Sequence, residues 1–167
     1  MARGKKTTFK RNLEPDPIYK SGLLSRFINR IMESGKKDLA RKIVYKAFDQ
    51  IAQNTGKNPL NVFETAIANV APKMEVRPRR IGGASYMVPM EVRGTRREAL
   101  AIRWLIDSAD LRSNKDYVDR KSNSPIMSAK LAAELTEASE GQGNAVRKKE
   151  EMHKSAEANR AFAHFRW

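Results

Sequence analysis

The segment Pro72–Arg97 constrains the fold more than any other, because it alone abandons the helical spacing of its surroundings. Its apolar residues recur at every second position. Met74, Val76 and Pro78 alternate with Lys73, Glu75, Arg77 and Arg79; Tyr86, Val88, Met90 and Val92 alternate with Met87, Glu91 and Arg93. Gly82-Gly83 separates the two runs and supplies the positive φ angles of a tight hairpin connection. Pro78 and Pro89 would break the ladder of a central strand, but in a two-stranded ribbon every strand is an edge. The pattern predicts an antiparallel β-hairpin, an element marginal in water unless it leans on something else.

Charge says what that hairpin is for. Residues 73–97 hold seven cations (Lys73, Arg77, Arg79, Arg80, Arg93, Arg96, Arg97) against two acids, Glu75 and Glu91. Such an excess on a narrow ribbon is costly without a polyanion to compensate it. We read the segment 73–93 as a basic arm on a helical body, shaped for a groove of folded nucleic acid. An ordinary amphipathic hairpin with solvated arginines is the competing reading. A separate arm carries a further expectation: joining Lys73 to Arg93 by a short glycine linker should spare the melting behaviour.

The rest of the chain reads as helices. Leu23/Leu24, Phe27/Ile28 and Ile31/Met32 recur every four residues, with Gly35 as the expected stop. A second helix opens at Lys36-Lys37, carries Leu39/Ala40, Ile43/Val44, Ala47/Phe48 and Ile51/Ala52, and ends at Gly56. Asn58-Pro59 caps a third, with Leu60, Phe63, Ile67 and Val70 on one face. After the arm, Thr95 and Glu98 match a capping box for a fourth helix bearing Ala99, Ile102, Trp104, Leu105 and Ile106. Trp104 reads first as a core anchor and second as a base-stacking surface. A polar connection over 112–123 leads to a fifth helix from Ser124-Pro125, with Met127, Leu131, Leu135 and Ala138, ending at Gly141. Asn144 is the expected cap of a sixth, mostly polar helix able to project from the body. Phe162, Phe165 and Trp167 either dock on a partner or fold back. Leu39, Ile43, Phe48, Phe63, Ile67, Ile102 and Ile106 are the expected shared core.

The fold class is therefore mainly α, a six-helix body with a protruding two-stranded arm and basic N- and C-terminal extensions. All 167 residues are expected to form one domain, with an extension over 1–18 and a C-terminal helix and tail over 144–167. The formal net charge of +14 points to a polyanionic partner. No apolar run approaches the roughly 20 residues of a membrane span, and no basic helix carries a broad aromatic face. The start Met1-Ala2-Arg3-Gly4 lacks the apolar stretch of a secretory signal. Without cysteine there is no disulfide, thiolate or Cys-based zinc chemistry, and the absence is compatible with a cytoplasmic setting.

Catalysis finds no footing. His153 and His164 are a poor metal pair, no phosphate loop occurs, and Gly82-Gly83 is too short for a dinucleotide fingerprint. Neither catalytic residue, metal nor cofactor is expected. The candidate RNA-binding residues lie in separated blocks: Arg3, Lys5, Lys6, Lys10 and Arg11; Lys20; Lys36, Lys37 and Arg41; the seven arm cations; Lys115 and Arg120; and Arg147, Lys148 and Lys149. So dispersed a footprint suits a large folded RNA better than one linear duplex site. A free-standing DNA-binding or nucleoid protein, built on the second and third helices, is the alternative. It leaves the arm and both tails without a role.

Particular strings add a family resemblance. Asp16-Pro-Ile-Tyr19-Lys-Ser21, Gly35-Lys36-Lys37 with Ala40, Ile43, Tyr45 and Ala47, and Asn58-Pro59-Leu60 lead to Val70-Ala-Pro72 and Glu75-Val76-Arg77. Arg80-Ile-Gly-Gly-Ala-Ser-Tyr-Met-Val-Pro89 follows, then Arg93, Ala99 to Trp104, Lys130-Leu-Ala-Ala-Glu134-Leu and Lys148-Lys-Glu-Glu-Met152-His. In order and spacing this resembles the S-seven family of small-subunit ribosomal proteins, in its bacterial or organellar form, over roughly residues 10–165. The resemblance implies a six-helix body with a hairpin arm and binding to the 3′ major domain of 16S rRNA. It also implies nucleation of head assembly, and a place near the exit-site tRNA, the mRNA path and neighbouring head and platform proteins. The implied location is the small ribosomal subunit, in the cytoplasm or in an organellar stroma or matrix.

Overall fold

A computed structural model describes residues 13–114 and 126–165. Within them the order is α1 (Gly22–Ile31), α2 (Lys37–Thr55), α3 (Pro59–Val70), β1 (Met74–Ile81), β2 (Ala84–Glu91), α4 (Gly94–Asp110), α5 (Ile126–Ser139), α6 (Asn144–Ala158) and a final 3-10 segment, Arg160–Phe165. The mainly helical class with one antiparallel hairpin agrees with the sequence reading. The expected start of α5 at Ser124-Pro125, the cations Arg3 to Arg11, Lys115 and Arg120, and Trp167 lie outside the described residues.

The core takes both members of some apolar pairs and one member of others. Leu24, Phe27 and Ile28 of α1 meet Val44, Ala47, Phe48 and Ile51 of α2 and Val62, Phe63, Ala66, Ile67 and Val70 of α3. Phe63 sits between Phe27, at a centroid distance of 5.1 Å, and Phe48, at 5.7 Å. Ile102 belongs to this core, while Ile43 and Ile106 are only partly buried against it. Leu39 does not belong: its neighbour Ala40 faces inward and Leu39 is 52% exposed. The pairs make a stripe wider than the contact, so the helix phase buries the second residue of Leu23/Leu24, Leu39/Ala40 and Ile43/Val44, the first of Ile51/Ala52, and both of Phe27/Ile28 and Ala47/Phe48. The central element is α5, which packs against α2, α3, α4 and α6. It buries Ser128, Leu131, Ala132, Leu135 and Ala138 together with Lys130 and Glu134.

Helix ends depart from the local signals. The backbone N–H of Met32, not Gly35, closes α1 by donating to Ile28; Gly35 lies beyond, in the turn to α2, with φ +74°. Gly56 does end α2, at φ +64°, and the Asn58 side chain accepts the Leu60 N–H to start α3. The capping box fails: α4 begins at Gly94, Thr95 lies within it, and Glu98 instead pairs with Arg26 of α1. Asn144 is likewise inside α6. The cap comes from another helix, because Glu134 of α5 accepts the Ala145 N–H at 3.0 Å. That carboxylate is fully buried, and Arg112 holds it with Nε at 2.7 Å.

The N-terminal approach is also tied down earlier than 1–18 implies. Asp16 is 2% exposed and accepts the N–H groups of Ile18 and Tyr19 and the hydroxyl of Tyr45, the last at 2.8 Å. Burial, then this bond, push the Tyr45 hydroxyl up to about 12, so it remains the donor.

Candidate nucleic-acid interface

The hairpin pairs Met74 with Glu91 through to Ile81 with Ala84, and Gly82 and Gly83 close it at φ +55° and +90°. Two consecutive positive φ values match the twist of the strands, which is why glycine is needed there. Directly paired residues share a face. Arg77 and Arg79 therefore lie on the face of Glu75, Tyr86 and Val88, and Arg80 lies with Val76, Pro78 and Met87 on the other.

The root of this arm is part of the body. Glu75 is 3% exposed, Val88 is fully buried and Val92 nearly so. The alternation treated Glu75 as an outward residue; it is the buried acid of the arm, receiving Arg96 Nε at 2.8 Å and paired with Arg77. The helix α6 lies along the hairpin instead of projecting, burying Ala145, Val146 and Ala156. Its short side chains give a weak apolar signal but permit close approach. The terminal aromatics fold back: the Phe162 and Phe165 rings lie 5.3 and 5.5 Å from that of Tyr86. Excising 73–93 would therefore remove buried residues, contrary to the expectation of unchanged melting. Only the distal turn, with Arg80 and Gly82 to Ser85, is exposed throughout.

Among the described residues, Lys20, Lys36, Lys37, Lys73, Arg80, Arg93, Arg147 and Lys148 have no acid within ion-pairing distance. Arg41 pairs with Asp38 at 3.4 Å. Lys149 donates to the Asn69 carbonyl at 2.8 Å, which turns it inward. Arg97 is half-buried, with its Nε unpaired. Arg79, also half-buried, lies between the anchored root and the open tip.

Sequence spacing missed a second arginine-rich surface, where acids hold Arg26 (Glu98), Arg96 (Glu75) and Arg103 (Asp107). Arg26 and Arg30 of α1 and Arg96 and Arg103 of α4 line a groove of about 360 Å³ with Thr95 and Glu98. Arg26/Arg30 at i,i+4 and Arg96/Arg103 at i,i+7 are same-face spacings, the signal that could have found it. What brings the two helices together is long-range packing.

One joint in this region is pH-sensitive. His153 Nε2 accepts the Lys73 N–H at 3.0 Å, linking α6 to the foot of β1. Burial, then the nearby Lys149, Lys73 and Arg97, hold its pKa below the ordinary 6.5. The folded state thus favours neutral imidazole, so this contribution is present above the ordinary value and is lost as pH falls through the folded one. Thermal midpoints should drop on acidification below about 6.5 more in the parent than in His153→Gln. Parallel pH profiles for the two proteins would contradict this.

Among the described residues no helix is long and apolar enough to cross a membrane, and no group of three metal-ligating side chains occurs. A family model described as "Ribosomal protein S7p/S5e" matches residues 3–160. Bacterial proteins called "Small ribosomal subunit protein uS7" are similar throughout. That of Carboxydothermus hydrogenoformans is 54% identical over 95% of each chain. Those of a Thermoanaerobacter species and of Thermomicrobium roseum, with the same coverage, are 53% and 51% identical. On these matches the chain belongs to the ribosomal protein S7p/S5e family, as a structural ribosomal protein and not an enzyme.

Proposed function

We propose that the chain is a primary rRNA-binding protein of the small ribosomal subunit. Its target is the 3′ major domain of 16S rRNA, where it nucleates head assembly beside the exit-site tRNA and the mRNA path. The observation that carries this reading is the division of the arm, whose root is anchored in the body while its tip is left outside. There Arg80 stands exposed on one face of the ribbon, while on the other Arg79 is half-buried and Arg77 is held by Glu75 nearer the root. An exposed cation at the end of a narrow ribbon suits a groove of folded RNA, which can enclose the tip. Lys36, Lys37, Arg93, Arg147, Lys148 and the α1–α4 arginines extend the footprint around the body. Neighbouring head and platform proteins complete the set of partners, within the cytoplasmic or organellar subunit.

Binding to a 3′ major domain transcript should persist in high salt, whereas a nucleoid-type DNA binder would dissociate. Deleting residues 1–11 should leave the melting curve unchanged and flatten the salt dependence by about 0.7–0.9 in log–log slope for each phosphate no longer neutralised. Identical slopes for the full-length and shortened chains would remove the extension from the footprint.

A further inference from the structure

A slot of about 460 Å³ opens between the hairpin, α4 and α6. Such a volume falls within the range of small-ligand pockets, roughly 300–1,000 Å³. Its walls are Val76 and Met87 from the arm and Trp104 from α4, with Lys148, Glu151, Met152 and Ser155 along α6. Trp104 is only partly buried against the core. Its indole N–H has no acceptor among the described residues. Met87 is 51% exposed, although it faces the same slot. Packing alone accounts for neither a partly open indole nor a half-bare methionine beside an unpaired lysine.

Resting on the RNA-binding reading above, we infer that this slot takes one unstacked nucleobase of the bound RNA. Trp104 is its stacking surface, the methionines are its walls, and Lys148 meets the adjoining phosphate. A flat, apolar, polyanion-linked group suits an indole, soft thioethers and one cation at the rim. The +14 net charge favours such an occupant over a basic protein segment.

Trp167→Phe leaves Trp104 as the sole indole of the full-length chain. Its fluorescence is read during titration with a short oligouridylate and with an abasic strand of equal length and charge. Binding is followed separately by the anisotropy of a dye on each strand. The base-containing strand should bind about tenfold more tightly, as one stacked base allows, and it alone should quench Trp104. Met87→Glu, at an exposed position, should abolish both differences while abasic binding persists. Equal binding of the two strands without quenching overturns the slot and leaves phosphate recognition standing. An apolar side chain of a neighbouring protein as the true occupant gives that same overturning result. Failure of both strands to bind overturns the RNA reading and the slot with it.

Discussion

Phe63→Ala is expected to cost about 3–5 kcal/mol of folding stability, the range for aromatic truncation in a core that cannot collapse. The side chain is fully buried at the meeting of three helices. Phe27 packs against it edge-on, with planes at 70°, and Phe48 lies tilted at 52°. Neither ring can move into the void without leaving its own helix-fixed contact, so little of the cavity is recovered. Phe48 also holds Tyr19, at 5.1 Å, and through it the Asp16 turn. Chemical denaturation should therefore show a lower midpoint with an unchanged slope. A loss below about 1 kcal/mol would mean that this aromatic cluster is not the centre of the core.

Arg112→Ala should be comparably damaging, by about 3–5 kcal/mol, because it leaves a buried carboxylate unpaired. Glu134 has no exposed surface, while the Arg112 side chain is 13% exposed. The guanidinium spans Glu134 and Glu137, the latter through Nη1 at 2.9 Å. Glu134 in turn caps α6, so the loss spreads to the element lying along the arm. Glu134→Gln keeps a carbonyl oxygen for the Ala145 N–H and removes the charge. The double variant Arg112→Ala/Glu134→Gln should therefore be more stable than Arg112→Ala alone. Additive destabilisation would show that the arginine acts through packing and not by compensating the buried charge.

Elements were legible where one face repeated strongly. The four apolar pairs of α2, the Gly82-Gly83 turn between two alternating runs, and Asn58-Pro59 each fixed an element from local chemistry alone. What escaped was settled by partners distant in sequence. Glu98 satisfies the capping-box spacing, yet Arg26, 72 residues away, takes its carboxylate. Glu75 reads as an outward residue of the arm until Arg96, 21 positions on, is brought beside it. The α6 helix seemed free because alanine contributes little to periodicity, although Ala145 and Ala156 are what let it approach. Of the candidate interface, the arm cations were legible as charge on a ribbon. The α1–α4 groove was not, because no local pattern places Arg26 and Arg30 opposite Arg96 and Arg103.

The same distinction decides how the arm should be tested. Deleting Arg80, Ile81, Ala84 and Ser85 removes two rungs and brings the Gly82-Gly83 turn against Arg79 and Tyr86. Because side chains alternate with period two, every remaining residue keeps its face. The buried root, the Glu75–Arg96 pair and the Tyr86 contacts with Phe162 and Phe165 are all retained. Affinity of this variant for a 3′ major domain transcript, measured across a salt series beside its melting curve, tests the central claim most directly. The account predicts an unchanged midpoint, weaker binding, and a salt slope shallower by about 0.7–0.9, for the one phosphate that Arg80 neutralises in the parent. Unchanged affinity and slope with a lowered midpoint would contradict it, making the tip part of the fold and not of the RNA interface.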